Sequence, residues 1–215
     1  MAIPRQAVRS VLCAVVLGLA LLPHAEAAEP TDFTVDDTRD LPDKNLHDKK
    51  CRTEEQTCTL RAAVQQANFL GGGRIIAVPP GTYALTIEGA FEDEAATGDL
   101  DIRADVTIQG DGARRTVIRG DTDDRVFDIH AGATVTIFGV TIQGGGVDDN
   151  GGGIRNAGEL LIIRRSTISD NLAVGDGGGI HNGGQLWLFK STVSGNTALN
   201  SGGGLANTKR LPARP

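Results

Sequence analysis

The feature that most constrains the fold is a repeat in the C-terminal half of the chain. A glycine triplet, then Ile or Leu, one variable residue and Asn occurs three times, at 151–156, 177–182 and 202–207. The three asparagines are 26 and 25 residues apart. Repeats of this length, built from short β-type runs and glycine turns, are typical of stacked coils that cannot fold singly.

Each repeat is predicted to form three short strands whose aliphatic side chains point inward. Equivalent residues on successive coils should stack about 4.8 Å apart, the spacing of hydrogen-bonded strands. The inward positions form three sets, one for each sheet: Val135, Ile137, Leu161, Ile163, Leu186 and Leu188; Ile142, Ile168 and Val193; Ile154, Ile180 and Leu205. The sequence therefore predicts an all-β fold, a right-handed parallel β-helix of about five coils over residues 74–207.

Two irregular coils are predicted before the repeats. Their short apolar runs are separated by turn sequences and lie at 75–78, 83–87, 106–108, 117–118 and 126–129. Residues 88–99 carry five acidic side chains and are predicted to be a solvated loop that projects from a coil. Residues 208–215 contain two prolines and three basic residues, which cannot add a coil. The last coil is therefore expected to expose a sheet edge, which offers a route to self-association.

The beginning of the chain predicts export. A basic segment, an apolar run over 11–22 and the sequence Ala25-Glu26-Ala27 are typical of a signal peptide, assigned to residues 1–27. No later apolar stretch approaches the length of a membrane span. The net charge of −6 argues against nonspecific binding to nucleic acid or anionic membranes. The protein is expected outside the cytoplasm, in the periplasm, at the cell surface or in the medium.

Residues 28–57 form a polar N-terminal segment without sustained periodicity, to which 33–35 adds one short strand. Cys51 and Cys58 are predicted to form a local disulfide, as expected in an oxidising compartment. A helix with a Gly stop is predicted over 58–73. Its apolar positions follow helical spacing and are Leu60, Ala63, Val64, Ala67 and Leu70. This helix should cap the open first coil.

The segment 58–68, with the sequence CTLRAAVQQAN, resembles the CSLREA motif of a group of exported bacterial right-handed β-helix proteins. Ala62 departs from that motif, which has Glu at this position. The glycine-rich repeats are also similar to those of polymorphic outer-membrane proteins. The resemblance covers about residues 51–207 and implies a helix that plugs the first coil, stacked coils and an extracytoplasmic location.

Several loop aspartates are candidate ligands for a hard cation. Asp148, Asp149, Asp170 and Asp176 lie in the turns before the glycine triplets. Calcium prefers six or more oxygen ligands, so a calcium site requires these loops to converge. No cofactor is firmly implied, and solvated loop charge is the simpler interpretation. The asparagine column of Asn156, Asn182 and Asn207 is predicted to be a structural ladder rather than a ligand site.

The outward face of the first sheet carries an aromatic–basic stripe. Alternation along the strands sends Phe138, Arg164, Trp187 and Phe189 outward, and Lys190 occupies a neighbouring position near a strand end. The predicted columns place Arg164 between the rings of Phe138 and Phe189, an arrangement favoured by cation–π attraction. Such a surface suits an anionic glycan, whereas the alternative interpretation is a cross-strand stack that stiffens the sheet.

The sequence as a whole favours a secreted or surface scaffold, adhesin-like, that binds extracellular polysaccharide or a cell surface. One alternative is a carbohydrate-active enzyme of the polysaccharide lyase or glycosidase type. Convergence of the loop aspartates with Arg or Lys in a groove would favour that enzyme. A second alternative is a fragment of a larger surface protein without independent activity.

Overall fold

The computed structural model describes residues 32–121 and 123–208, so the predicted signal peptide and residues 209–215 lie outside the described residues. The described chain forms one α-helix, α1 (Leu60–Leu70), and a 3-10 turn at Leu46–Asp48. The strands of the N-terminal part are β1 (Phe33–Thr34), β2 (Arg74–Val78), β3 (Gly81–Leu85), β4 (Leu100–Ile102), β5 (Val106–Gly110), β6 (Thr116–Gly120) and β7 (Phe127–Ile129).

The C-terminal part holds the strands of the three sequence repeats. They are β8 (Thr134–Phe138), β9 (Thr141–Gln143), β10 (Gly146–Val147), β11 (Ile154–Asn156), β12 (Leu160–Arg164), β13 (Thr167–Ser169), β14 (Leu172–Ala173), β15 (Ile180–Asn182), β16 (Gln185–Phe189), β17 (Thr192–Ser194), β18 (Thr197–Ala198) and β19 (Leu205–Asn207).

Every strand pairs in parallel with its equivalent on the neighbouring coil, which confirms the predicted parallel β-helix. Sheet 1 has the order β1-β2-β5-β8-β12-β16, sheet 2 the order β3-β6-β9-β13-β17 and sheet 3 the order β4-β7-β11-β15-β19. Sheets 2 and 3 each contain five strands, so the chain makes four complete turns between the first and the last strand of each sheet. The β-helix thus begins at β2 and extends to Asn207.

The regular coils contain a fourth strand that the three-strand prediction missed. Strands β10, β14 and β18 pair as a short fourth sheet between sheets 2 and 3. Each is two residues long, too short for an alternating apolar pattern to mark it in the sequence. The corner between sheets 1 and 2 has the left-handed backbone conformation on three successive coils. Gly139 occupies this position on the first of them, and Arg165 and Lys190 occupy it on the next two.

Stacked aliphatic side chains fill the interior. In sheet 1 the parallel register aligns Ile76 with Ile108, then Ile137, Ile163 and Leu188. The four isoleucines are fully buried, whereas Leu188 on the last strand of the sheet is 41% exposed. Leu205, predicted to point inward, is 40% exposed for the same reason: β16 and β19 are edge strands of the described sheets.

The N-terminal helix covers the first coil. Thr59 caps α1, its hydroxyl accepting a hydrogen bond from the Ala62 N–H, and Gly71 ends the helix with φ of 65°. The buried side chains of Leu60, Val64 and other apolar residues join the central core. Strand β1 pairs with β2 and so covers the first edge of sheet 1. The predicted Cys51–Cys58 disulfide is present, with 5.1 Å between the two Cα atoms.

An ion pair buried beneath the helix joins three separate segments of the chain. The Arg61 guanidinium donates to both carboxylate oxygens of Asp40, at 2.6 and 3.0 Å, and neither side chain is more than 1% exposed. It also donates to four backbone carbonyls of the loop before β4, those of Ala95, Thr97, Gly98 and Asp99. Asp40 in turn accepts from the N–H groups of Thr86 and Ile87. The pair therefore has a full set of hydrogen bonds, the condition under which buried charge is tolerated.

That loop, residues 88–99, is called the acidic loop below. The prediction of a solvated projection holds for its exposed residues, such as Glu88 and Asp93, but is wrong for Ala95 and Asp99. Ala95 is completely buried and Asp99 is 3% exposed. The loop folds back onto the coil because Arg61 binds its carbonyls and Asp101 accepts from the Ala95 N–H. Only part of the loop, including Phe91, faces solvent.

The asparagine column forms a continuous ladder of hydrogen bonds. The side-chain Nδ2 of Asn156 donates to the side-chain Oδ1 of Asn182 at 2.6 Å. The Nδ2 of Asn182 in turn donates to the Oδ1 of Asn207 at 3.0 Å. A second ladder, which sequence reasoning missed, joins Asn171 to Asn196 at 2.9 Å. These amides pair buried polar groups at the bends between strands.

Replacing Asn182 by Ala removes the central rung of the first ladder. The buried Asn156 amide then loses its shortest hydrogen bond, so the free energy of unfolding should fall by about 1–3 kcal/mol. Urea unfolding followed by circular dichroism measures this change. Asn200→Ala is the matched control because its side chain is exposed, and its effect should stay within about 0.5 kcal/mol. Equal losses in both variants would contradict a structural ladder.

Candidate functional site

The outer surface of sheet 3 carries a column of charged side chains. The parallel register places Asp101 of β4 beside Asp128 of β7, then Arg155 of β11 and His181 of β15. Equivalent positions on adjacent strands are about 4.8 Å apart, so these side chains are direct neighbours. The acidic loop packs beside this column, where Asp101 accepts a hydrogen bond from the Ala95 N–H of the loop.

Asp128 is held by two arginines. Arg155 donates through Nε to both of its oxygens at 2.9 Å, and the Arg155 Nη2 atom lies 2.8 Å from Asp128 Oδ2. Arg125 donates to the same carboxylate through Nη1 at 3.0 Å. The hydrogen bond to Asp128 raises the pKa of Arg155, as expected for a strong charge-assisted pair.

Asp99 lies in a different environment, although it is close to Asp128. Burial and, after it, the nearby carboxylates of Asp101 and Asp124 together raise the pKa of Asp99 to about 9. Its closest cationic partner is Arg125, at 3.4 Å. Asp99 is thus a neutral carboxylic acid at pH 7 and can donate a hydrogen bond. Burial also raises the pKa of Asp124.

Asp101 pairs with a histidine on the next coil. The His130 ring Nε2 lies 2.8 Å from Asp101 Oδ1, while Asp101 Oδ2 accepts from the Ala95 N–H. Burial raises the pKa of Asp101 to about 6, and the contact with His130 opposes that rise. Asp93, on the exposed part of the acidic loop, lies 3.9 Å from the same ring nitrogen.

These side chains border a cleft of about 220 Å³ that opens to solvent. We call it the Asp–Arg cleft and define it by the residues Asp99, Asp124, Arg125, Asp128, Asp149 and Arg155. Phe91, Glu92 and Asp93 of the acidic loop form its outer wall. A neutral carboxylic acid beside an arginine-bound carboxylate supplies both a hydrogen-bond donor and acceptors within one small space.

The four predicted calcium ligands do not meet in the structure. Asp149 alone joins the cleft, where its Oδ2 lies 3.2 Å from Arg125. Asp148 and Asp170 are exposed, and Asp176 accepts a hydrogen bond from Asn200. Within the described ranges, two other groups bring ligand atoms within 4.8 Å of one another, namely Asp93, Asp101 and His130, and Asp99, Asp101 and Asp128.

The second of these groups is a poor fit for calcium. Three guanidinium nitrogens of Arg125 and Arg155 already lie within 3.0 Å of the Asp128 carboxylate, and Arg125 also faces Asp99. A divalent cation would have to share these oxygens with two guanidinium groups, which repel it. The structure thus brings carboxylates and arginines together, but not the set that the sequence predicted.

The aromatic–basic stripe lies on the outer face of sheet 1. Trp187 is 63% exposed and Phe189 is 51% exposed. Arg164 lies over the Phe189 ring at 5.7 Å, and the Lys190 ammonium lies 5.4 Å from the same ring. Arg164 was expected between two rings, but Arg165 takes the place over Phe138, at 5.6 Å. The left-handed turn at Arg165 sends its side chain back toward β8.

Sequence reasoning missed the cleft because it missed β4. Leu100-Asp101-Ile102 and Phe127-Asp128-Ile129 are the same three-residue pattern, 27 residues apart, close to the period of the later repeats. That match shows that the repeat period also holds in the irregular coils. Extending the repeat alignment to these coils would have placed Asp101 beside Asp128.

Comparison of the chain with family models, with curated proteins and with solved structures found no match. Among the residues that the structure describes, no helix combines the length and the apolarity that a membrane crossing requires.

The raised pKa of Asp99 predicts an unusual dependence of stability on pH. The folded state holds the Asp99 proton up to about pH 9, whereas the unfolded chain releases it near pH 4. Folding therefore takes up a proton between these values, and this contribution to stability is lost as pH rises. Between pH 5 and pH 8 the loss can reach about 1.4 kcal/mol per pH unit.

Asp99→Asn removes this titration, so the free energy of unfolding should fall less steeply with pH than in the wild type. Chemical denaturation at pH 5, 6, 7 and 8 measures both slopes. Asp148→Asn, which changes an exposed carboxylate outside the cleft, should keep the wild-type slope. An Asp99→Asn slope equal to that of the wild type would show that Asp99 is not the titrating group.

Proposed function

We propose that this chain is an exported β-helix protein of the CSLREA-motif type that binds anionic polysaccharide through the aromatic–basic stripe. The N-terminal sequence and the motif at 58–68 support export, and the Cys51–Cys58 disulfide is consistent with an oxidising compartment. The protein acts as an adhesin-like scaffold at or beyond the cell surface. The long, regular sheets serve as a rigid platform for that contact.

The observation that carries this proposal is the exposure of two large aromatic rings beside two cations. Trp187 and Phe189 are two residues apart on β16, so both point outward, and Arg164 and Lys190 flank the Phe189 ring. Exposed aromatic side chains in a patch mark binding surfaces more often than isolated ones do. Flat rings offer apolar faces to sugar rings, while the cations pair with carboxylate or sulfate groups.

The aromatic side chains of the stripe stand on a rigid strand, which supports a binding role for them. Trp187 and Phe189 belong to β16, which is paired along its whole length with β12. Side chains on paired strands lose less conformational entropy on binding than side chains on loops. Acidic residues are absent from the stripe itself, although the chain as a whole is net negative.

Replacing both Trp187 and Arg164 by Ala should weaken retention on polygalacturonate or alginate. One aromatic contact and one charge contact of about 1 kcal/mol each correspond to about a thirtyfold loss of affinity. Affinity electrophoresis in gels containing each polysaccharide measures the change, and neutral dextran gels correct for mobility.

The control variant carries Leu199→Ala and Arg115→Ala, which remove an exposed apolar side chain and an exposed cation away from the stripe. Its retention should match the wild type. Equal retention of the stripe variant and the control variant, with both folded, would refute the proposed glycan contact.

A further inference from the structure

The two ends of the β-helix differ in how their core is covered. Helix α1 packs over the core of the first coil, and β1 pairs with the first edge of sheet 1. The last coil, residues 183–208, is different, because its strands β16, β17, β18 and β19 are the final strands of the four described sheets. Within the described residues, the core is therefore open at one end only.

The open end exposes side chains whose equivalents on the preceding coil are buried. Leu188 is 41% exposed, whereas Ile163, its partner in the register of sheet 1, is fully buried. Leu205 is 40% exposed, whereas Ile180, its partner in sheet 3, is fully buried. A partner that covers this end would bury both leucines, and burial of apolar surface favours association.

The backbone of β16 also has hydrogen-bonding groups that face the open end. On a parallel strand, alternate residues direct both N–H and C=O to the same neighbouring strand. The Gln185 N–H and the Phe189 carbonyl form hydrogen bonds with the preceding coil. The N–H and C=O groups of Leu186 and Leu188 therefore point to the free edge.

Strand β19 has the same arrangement at the edge of sheet 3. The Gly204 carbonyl accepts from the Ile180 N–H of the preceding coil. By the alternation along the strand, Leu205 and Asn207 direct their N–H and C=O groups to the free edge. The open end thus combines apolar side chains with backbone donors and acceptors, as a strand-forming partner requires.

The last coil lacks the charged side chains that usually protect a sheet edge from pairing. Residues 183–208 contain one charged side chain, Lys190, and no proline, whereas the preceding 26 residues contain five charged side chains. The Lys190 ammonium lies over the Phe189 ring on the outer face of sheet 1, so it does not guard the edge. This end is therefore suited to pairing with other strands.

We propose that the open end binds the open end of a second copy of this chain, and that the product is a closed dimer. Two identical ends meet about a two-fold axis, so the facing edge strands run antiparallel and supply hydrogen-bond partners to each other. A third copy has no comparable surface, because helix α1 covers the other end of each β-helix.

The area of the open end is sufficient for such a dimer. One coil of 25 residues, at about 3.3 Å per residue, encloses a cross-section of roughly 500 Å². Two ends that meet would bury about 1,000 Å² in total, which is the lower limit for a specific interface. The dimer is thus expected to form reversibly, with a dissociation constant of about 1–100 μM.

Sedimentation equilibrium of the purified protein tests this proposal. The wild type should change from monomer to dimer as its concentration rises through the micromolar range. Leu205→Lys places a charge in the interface and should weaken dimerisation about a hundredfold. Leu172→Lys is the matched control: Leu172 is 45% exposed, but its strand β14 is already paired on both sides, so dimerisation should match the wild type.

Hydrogen exchange of the wild type at low and high protein concentration tests the same interface without a substitution. The amides of Leu186, Leu188 and Leu205 should gain protection at high concentration. The Trp187 amide, which faces the paired strand β12, should change little. Association through the aromatic–basic stripe instead would leave the three leucine amides unchanged and would overturn the proposal.

Three results of the sedimentation experiment would also overturn it. They are a wild type that stays monomeric at several hundred micromolar, assemblies larger than a dimer, and equal weakening by Leu205→Lys and Leu172→Lys in folded variants. The dimer does not depend on glycan binding, because Leu205 lies in sheet 3, outside the stripe. Leu205→Lys should therefore remain bound to polygalacturonate, so the two proposals can fail separately.

Discussion

The buried ion pair between Arg61 and Asp40 is the interaction on which the irregular half of the molecule depends. It connects the polar N-terminal segment, helix α1 and the acidic loop, which are far apart in sequence. Removing one partner from a buried pair leaves an uncompensated charge and typically costs 3–5 kcal/mol. Here the same change would also free four loop carbonyls that Arg61 binds.

The acidic loop is the link between that ion pair and the Asp–Arg cleft. Arg61 fixes the backbone carbonyl of Asp99, whose side chain lines the cleft, and the loop also supplies Phe91. A helix that closes the core of the first coil thereby also shapes a surface site. The repeated coils have a different role, because their ladders and stacked aliphatics hold sheet 1 rigid beneath the aromatic–basic stripe.

Periodic features could be predicted from the sequence, whereas isolated long-range contacts could not. The repeat period sets the register, so the parallel sheets, the Asn156 ladder and the outward position of Trp187 follow from it. Helix α1 follows from the spacing of its apolar residues. Arg61 gives no such signal, since its partners lie between 21 and 38 residues away and are mostly backbone carbonyls. Asp99 resembled a solvated loop residue because its burial results from that same contact.

Hydrogen exchange in an Arg61→Met variant tests most directly whether the ion pair organises this half of the protein. The amides of Ala95, Thr97 and Gly98, and those of Thr86 and Ile87, should lose protection, while strands β12 and β16 keep theirs. Arg39→Met, which removes an exposed salt bridge, should leave all of these amides unchanged. Wild-type protection of the acidic loop in a folded Arg61→Met protein would contradict the account.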